Sequence, residues 1–327
     1  MASQLAWLGL GNMGRVSSIP IFLLYGAFEQ TDPIRQGMCK NLVEKGNLSK
    51  PLIIHNRTAK RAEDLAAKIG NSQVASSIAD AATKADLIFY CLGDDAAVLS
   101  TLDEILKVDV TGKVLVDCST VHPDTTAEEA RLVEEKGAGF VACPVFGAPS
   151  MADAGQLICV LSGKADAVDK VKPYCKGVMG RANIDFSGQE PRKATLLKVL
   201  GNTFILSMIE TLSEGLVAAE KTGLGVDELH QFIEIMFPGP YTAYSNRMRS
   251  GDYYQRADPL FAVDLARKDA RHAMDLVSKA GGKMKNVELA DSYLKVVKED
   301  QGEKGDIAGI YGAKRLEAGL PFANQKS

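Results

Sequence analysis

The sequence lacks the cysteine and histidine patterns of metal-binding and disulfide-stabilised proteins. Its six cysteines contain no Cys-x-x-Cys pair, and its four histidines show no His-Glu-x-x-His or similar spacing. Several cysteines stand inside apolar runs, where buried free thiols are expected. We therefore predict neither a structural zinc site nor a disulfide framework.

The chain also lacks an excess of charge of one sign and a long apolar run. Its formal net charge is −3 without a basic or acidic block, which argues against a nucleic-acid surface. No apolar stretch approaches the roughly 20 residues that span a bilayer, and the first predicted strand already begins at Gln4. We therefore expect a cytosolic protein that binds neither nucleic acid nor a membrane.

The first part of the chain alternates short apolar runs with amphipathic ones, a pattern typical of a parallel sheet whose strands are joined by helices. The predicted strands are Gln4–Gly9, Leu52–His55, Leu87–Leu92, Lys113–Asp117, Gly139–Cys143, Leu157–Ser162 and Asn183–Phe186. The helices predicted between them are Ala59–Lys68, Ala96–Leu106, Asp124–Lys136 and Ala165–Val178.

From Arg192 onward the strand pattern ends and helical periodicity continues. Helices are predicted over Lys193–Thr222, Val226–Met236, Ala262–Ala280 and Lys285–Glu299. We predict an α/β fold, with a doubly wound parallel sheet of the Rossmann type in residues 1–190 and an all-helical domain in residues 191–327, joined by the long helix. The apolar stripe of that helix predicts a homodimer or a higher homo-oligomer.

One segment, Val16–Gln36, does not fit this pattern. It contains Pro20, Pro33 and a solitary apolar run without helical period. Without it, GLGNMGR would join GMCKNLVEKG directly, as a turn that opens a helix. Two interpretations are open: an insertion left by a retained intron, or a genuine surface loop.

A glycine motif follows the first predicted strand, and it consists of Gly9, Leu10, Gly11, Asn12, Met13 and Gly14. Its three glycines allow a tight turn, close approach of the backbone to a pyrophosphate, and close packing of the next helix. The N-terminus of that helix offers amides and a positive dipole end to phosphates. This position after a strand predicts a dinucleotide site.

Polar residues follow the second predicted strand, namely Asn56, Arg57 and Thr58. NAD sites favour an acidic residue here, which binds the ribose 2′-hydroxyl, whereas a guanidinium, a hydroxyl and an amide suit a 2′-phosphate. The pattern favours NADP(H) over NAD(H). The alternative is a solvated helix start with Thr58 as the N-cap.

Together with the glycine motif, the sequence resembles the β-hydroxyacid dehydrogenase family, which includes 3-hydroxyisobutyrate dehydrogenases and glyoxylate/succinic semialdehyde reductases. The stretches that carry the resemblance are DCST at Asp117–Thr120, PVFGAPSMADAGQL at Pro144–Leu157, KVLGN at Lys198–Asn202 and RKDARHA at Arg267–Ala273. The resemblance covers nearly the whole chain except Val16–Gln36. It implies hydride transfer between a nicotinamide and a small β-hydroxyacid or aldehyde acid.

The resemblance makes Lys198 the general acid/base, a task that suits a lysine in a buried place. Asn202 lies one turn further along the predicted helix, where it would orient the substrate or the lysine. The resemblance also places Leu92 and Gly93 along the cofactor groove. Spacing alone favours an ordinary helix that exposes one lysine, but the position of KVLGN just after the Rossmann domain favours the catalytic interpretation.

The same resemblance makes Ser119 a contact for a substrate carboxylate, with Thr120 beside it, and brings Lys268 to the cofactor and active site. From the residues alone there are plain alternatives. Ser119 and Thr120 would cap the helix that follows them, and Lys268 and Asp269 would be an exposed charge pair.

One departure from the family concerns the substrate loop. Family members usually carry Ser-Gly-Gly there, whereas this chain has Phe146, Gly147 and Ala148. A hydroxyl and a flexible glycine are thus replaced by an aromatic ring and a methyl group. We expect a narrower and more apolar pocket, and the sequence does not name the acid.

Two other functions are compatible with the same scaffold. One is an imine reductase, and the other is a non-catalytic NADP-binding scaffold or sensor. Relatives of both kinds tend to lack the lysine, so Lys198 favours carbonyl chemistry. The interruption after the glycine motif argues mildly for the scaffold, because a displaced phosphate loop would weaken cofactor binding.

Overall fold

The computed structural model describes residues 3–10 and 33–324. The chain divides into two compact units, Met1–Lys198 and Val199–Ser327, called here the N-terminal and C-terminal units. This boundary lies inside the long helix, whereas the predicted boundary at residues 190 and 191 lies just before that helix.

The N-terminal unit is built on one sheet. Its strands are β1 (Leu5–Leu8), β2 (Leu52–His55), β3 (Ser72–Val74), β4 (Leu87–Tyr90), β5 (Val114–Asp117), β6 (Gly139–Ala142), β7 (Val145–Phe146), β8 (Leu157–Gly163) and β9 (Gly180–Ser187). The predicted strands are all present, with ends that shift by a few residues, and the short strands β3 and β7 were not predicted.

The spatial order β3-β2-β1-β4-β5-β6 is parallel throughout, as in a Rossmann sheet. Beyond it, β8 runs antiparallel to β6 and β7 and parallel to β9. The strand order reverses direction between β1 and β4, and the carboxyl ends of strands at such a switch point form the usual ligand crevice of an open α/β sheet. The segments after β1, β4 and β5 therefore position the site.

The helices of the N-terminal unit are α1 (Pro33–Lys45), α2 (Ala59–Ile69), α3 (Ile78–Lys84), α4 (Asp95–Ile105), α5 (Pro123–Glu135), α6 (Pro149–Asp153) and α7 (Ala165–Val171). The long helix α8 (Arg192–Thr222) runs from this unit into the other one. The C-terminal unit continues with α9 (Val226–Met236), α10 (Pro240–Arg249), α11 (Asp252–Gln255), α12 (Val263–Lys279), α13 (Lys285–Gln301) and α14 (Ile310–Glu317).

Proline explains one difference from the predicted helices, whereas α3, α6, α10, α11 and α14 were not predicted. The helix predicted over Ala165–Val178 ends at Val171 and gives way to a 3-10 turn that contains Pro173, because proline lacks the N–H that a helix interior requires. Conversely, Pro33 and Pro240 lie in first turns, where proline is favoured. Residues 33–36 of the proposed insertion thus belong to α1, and the other residues of that segment lie outside the described ranges.

Apolar side chains cover both faces of the sheet. Trp7 and Phe89 stack in one layer, with ring centroids 6.0 Å apart, and a second apolar layer covers the opposite face. The C-terminal unit has an apolar core of its own. Two buried layers on a parallel sheet match the near-continuous apolar character of its strands.

The six cysteines are free and buried, as predicted. They all belong to one apolar layer of the sheet, where thiols pack as small hydrophobic groups. The Sγ atoms of Cys143, Cys159 and Cys175 lie within 4.8 Å of one another, a proximity that their sequence spacing did not predict.

Helix α8 corrects the expectation that no segment reaches a membrane-spanning length. By length and composition it is apolar enough to cross a membrane, yet half of its most apolar window is buried inside the protein. Such burial is typical of a core helix, which passes the same test of composition.

Candidate functional site

The turn after β1 can be built only with glycine. Gly9 has φ +92°, and a Cβ atom there would lie 2.8 Å from the carbonyl oxygen of Cys91 and 2.7 Å from Cδ2 of Leu92. Its amide donates to the carbonyl of His55 at 3.0 Å. The backbone of β1 thus approaches β4 closely at the switch point, whereas Gly11–Gly14 lie outside the described residues.

Asn56 ties the end of β2 to this turn. Its Oδ1 accepts from the amide of Leu10 at 2.9 Å, and its Nδ2 donates to the carbonyl of Thr58 at 3.0 Å. Thr58 occupies the N-cap position of α2, but its side chain makes no capping bond. Asn56 therefore holds the end of β2 against the turn after β1, and Arg57 and Thr58 are exposed beside it.

The ends of β4 and β5 are joined by one serine. The Oγ of Ser119 accepts from the amide of Leu92 at 2.9 Å, and the amide of Ser119 donates to Oδ1 of Asp117 at 2.8 Å. Ser119 is only 1% exposed, and Leu92 and Gly93 are buried beside it. The predicted site residues Leu92, Gly93 and Ser119 therefore lie together at this edge.

The helix after β5 is not capped by the serine and threonine that precede it. Helix α5 begins at Pro123, and Nδ1 of His122 accepts from the amide of Asp124 at 3.1 Å. The alternative interpretation of Ser119 and Thr120 as caps is therefore wrong, because the cap position falls on the histidine.

A buried pair of carboxyl groups lies behind Ser119. The hydroxyl of Tyr90 donates to Oε1 of Glu129 at 2.7 Å, and the carboxyl groups of Glu129 and Asp117 lie close enough to shift each other's pKa. With both carboxyl groups ionised, Oδ2 of Asp117 and Oε2 of Glu129 have no hydrogen-bond partner among the described residues. Two carboxyl oxygens can bond to each other only by sharing a proton, so the pair holds one.

The pKa values of the pair agree with this arrangement. Burial raises the pKa of the Asp117 carboxyl to about 6, although hydrogen bonds from Ser119 and Glu129 oppose the shift. Burial, followed by the charge of Asp117, raises the pKa of the Glu129 carboxyl well above its usual range. Glu129 is therefore the protonated donor and Asp117 the acceptor.

Lys198 lies in the first part of α8 and is 9% exposed. Its Nζ lies 4.4 Å from the centroid of the Phe146 ring, which is within the range of a cation–π interaction. Gly147 follows with φ +146°, and a Cβ there would lie 2.6 Å from Cδ2 of Leu157. The predicted acid/base thus meets an aromatic face where the family usually has a hydroxyl, and Ala148 beyond it is exposed.

The C-terminal unit contains a polar cluster of its own. The Nδ2 of Asn202 donates to Oδ2 of Asp269 at 2.6 Å, and Nζ of Lys268 lies 3.2 Å from Oδ1 of the same carboxylate. All three residues are buried, with Lys268 9% exposed. The interpretation of Lys268 and Asp269 as an exposed charge pair is therefore wrong. Asn202 and Lys268 share one carboxylate, which sequence spacing did not predict.

Tyr90 and Glu129 are site residues that the sequence reasoning missed. A signal for Glu129 was present, because it stands three residues after Thr126 and beside Ala130 on the buried side of α5. A carboxyl on an otherwise buried stripe needs a partner, and the neighbouring DCST motif supplies one in Asp117.

Two protein-family models match this chain. Residues 36–186 match the family model described as the NAD binding domain of 6-phosphogluconate dehydrogenase. Residues 193–313 match the model described as NAD-binding of NADP-dependent 3-hydroxyisobutyrate dehydrogenase. The first match begins at the end of the segment proposed as an insertion, and the glycine motif precedes it.

Three individual proteins illustrate the similarity. The "NADH-dependent oxidoreductase ucdB" of Aspergillus ustus is 38% identical over 88% of this chain and 97% of its own length. The "Glyoxylate/succinic semialdehyde reductase 1" of Arabidopsis thaliana is 27% identical over 84% of this chain and 85% of its own. A solved structure of Mycobacterium tuberculosis 3-hydroxyisobutyrate dehydrogenase with L-serine superposes with a TM-score of 0.73 at 22% identity, covering 96% of this chain and 100% of that one.

Replacing Glu129 with Gln should remove a pH-dependent loss of stability. A carboxyl whose pKa is raised on folding stabilises the fold fully below its ordinary pKa, and this contribution is lost as the pH rises through the raised value. Glutamine does not titrate, and its amide both donates to Asp117 and accepts from Tyr90. The free energy of unfolding of the variant, relative to the natural chain, should therefore rise as the pH increases above the ordinary range of a glutamic acid carboxyl.

Urea unfolding followed by fluorescence of the single tryptophan, Trp7, measures this in the N-terminal unit. Glu129→Leu leaves Asp117 and Tyr90 without their partner and should cost about 2–4 kcal/mol. The control Glu135→Gln, on the exposed side of the same helix, should change stability by about 0.5 kcal/mol or less. An identical pH dependence in Glu129→Gln and the natural chain contradicts the shared proton.

Proposed function

The chain belongs to the β-hydroxyacid dehydrogenase family, and from this premise we propose that it moves a hydride between NADP(H) and a small hydroxy or carbonyl compound, with Lys198 as general acid/base. It is an NAD(P)-dependent oxidoreductase that acts on CH–OH groups. The observation that carries the proposal is the position of Lys198, whose amine lies buried against Phe146 and not in open solvent.

The carboxyl edge of the sheet fits a dinucleotide. A Cβ atom at Gly9 would collide with the backbone of Cys91, so only glycine allows this turn to pack against the end of β4 at the switch point, where a dinucleotide fold places its ligand. Arg57 and Thr58 project from the end of β2, the place where a dinucleotide fold binds the ribose substituent. A guanidinium beside a hydroxyl supports a 2′-phosphate and hence NADP(H).

A bound nicotinamide would supply the hydride to the carbonyl carbon, or accept it in the reverse direction. During reduction, Lys198 gives its Nζ proton to the carbonyl oxygen, and during oxidation it takes the proton of the hydroxyl. The ring of Phe146 attracts the ammonium group and keeps water from that side of it. A proton held at a fixed place requires less reorganisation when the charge on the oxygen develops.

The retention of a lysine at this position supports carbonyl chemistry over the reduction of imines. A homo-oligomer built on the apolar stripe of α8, and a cytosolic location, belong to the same proposal.

Lys198→Ala should lower kcat by about 10²–10⁴-fold, because the oxygen of the substrate loses its proton donor. Affinity for NADPH, followed by fluorescence titration, should stay nearly unchanged. Lys193→Ala on the same helix is the matched control, since Lys193 is exposed and its amine donates to the side chain of Gln189. A Lys198→Ala rate close to that of the control refutes the acid/base role.

Arg57→Ala should weaken NADPH binding by about 10–100-fold, the usual effect of a lost hydrogen bond to a charged group, and should change NADH binding little. Separate titrations with the two cofactors measure the effect. Lys68→Ala, at the far end of α2, is the control for a lost surface cation. The comparison with NADH matters because the Aspergillus relative is described as NADH-dependent. Equal losses of affinity for both cofactors would show that Arg57 does not bind a 2′-phosphate.

A further inference from the structure

We propose that the substrate is an uncharged aldehyde or ketone with an apolar substituent, and not an aldehyde acid or hydroxyacid. This inference rests on the proposed hydride transfer and names its substrate class. In the reduction, the carbonyl carbon gains the hydride of NADPH and the oxygen gains the proton of Lys198, so the balance needs no further reactant.

The first observation is the ring beside the proton donor. Phe146 is half-buried, and its face lies 4.4 Å from Nζ of Lys198. A carboxylate there would have to displace the ring from the ammonium or lie against an apolar face without hydrogen bonds, at a cost in desolvation. The next two residues, Gly147 and Ala148, have no polar side-chain atom that could replace the missing hydroxyl.

The second observation is that Ser119 is committed to the fold. Its Oγ accepts from the amide of Leu92, and the side chain is enclosed, with only 1% of the residue exposed. Because this hydroxyl is enclosed, a substrate carboxylate could accept its proton only if the surrounding side chains moved. The serine that the family resemblance assigns to a substrate carboxylate therefore holds the ends of β4 and β5 together.

The third observation is the charge at this edge. The Asp117–Glu129 pair lies directly behind Ser119, and because the pKa of Asp117 is about 6, the pair carries a negative charge near neutral pH. The exposed cation Arg192 already contacts Asp124 at 3.3 Å. A substrate carboxylate near Ser119 would thus meet a like charge in a region of low dielectric constant, which is unfavourable.

An apolar substituent fits the same surroundings better. Its ring or chain would pack on Phe146, and an aromatic pair of this kind contributes beyond its buried area. The carbonyl oxygen alone needs a polar partner, and Lys198 supplies it. The three observations concern Phe146 in β7, Ser119 in the β5–α5 connection, and the pair formed by Asp117 of β5 and Glu129 of α5, and they favour the same class of substrate.

The test compares matched pairs that differ only in a carboxylate: succinic semialdehyde with its methyl ester, and para-formylbenzoate with its methyl ester. NADPH oxidation by the full chain gives kcat/KM for each. We expect the ester to exceed the acid by at least about 10-fold in both pairs, the usual size of discrimination by a single pocket contact. Acids that react as well as their esters overturn this inference and leave the proposed hydride transfer intact.

Phe146→Ser introduces the hydroxyl that the family usually has, and it should lower the ester-to-acid ratio by about 10-fold, mainly through KM of the acid. Phe146→Leu keeps an apolar side chain and should retain the ester preference. Phe204→Ser is the matched control, since Phe204 is 77% exposed on α8. An unchanged ratio in Phe146→Ser overturns the role of the ring, and no turnover of any carbonyl compound overturns the hydride transfer and the inference with it.

Discussion

The hydrogen bond between Leu92 and Ser119 is the interaction on which the geometry of the site depends. It closes the gap between the carboxyl ends of β4 and β5 at 2.9 Å, at the place where parallel strands leave their backbone groups unpaired. Asp117 accepts from the amide of the same serine, Glu129 lies beside Asp117, and Tyr90 donates to Glu129. A buried polar chain of this kind holds one arrangement, because each group that it leaves unsatisfied costs free energy.

The residues of the site therefore have two different roles. The serine and its acid pair define the shape of the edge, while the residues that project from it meet ligands. Gly9 provides the close backbone approach and Arg57 an exposed cation, and in the proposed mechanism Lys198 provides the proton. Exchanging Phe146, at the end of β7, would change the side chain that contacts the amine of Lys198. It would not disturb the hydrogen bond that joins the ends of β4 and β5.

Most of the fold could be predicted from the sequence because its signals are local. The apolar runs of β1, β2, β4 and β5 and the long period of α8 specify strands and helix independently of their neighbours. An error arose at proline, which is favoured in the first turn of a helix and unfavourable in its interior. Proline begins α1 and α10 but interrupts the segment after α7, and the sequence alone does not say which first turn it occupies.

The site was predictable in its motifs and not in its contacts. Lys198 and Ser119 were found through short patterns, yet the bond that encloses Ser119 depends on the pairing of β4 with β5, which joins residues 27 positions apart. The partner of Asn202, Asp269, is 67 positions away, and the pattern RKDARHA does not show that its carboxylate is shared. Packing and strand order decide such contacts, and periodicity contains no information about them.

The exchange at Phe146 shows how a reaction and its substrate are specified by different physical terms. The proposed reaction needs one proton at one atom, and Lys198 would supply it whether its neighbour is a hydroxyl or a ring. Recognition of the substrate needs groups that match its charge, and a ring beside the lysine with an acid pair behind the serine favours a neutral molecule. A change that leaves the proton donor in place can therefore move an enzyme of this family to another class of carbonyl compound, since the cost of burying a carboxylate acts on binding and not on hydride transfer.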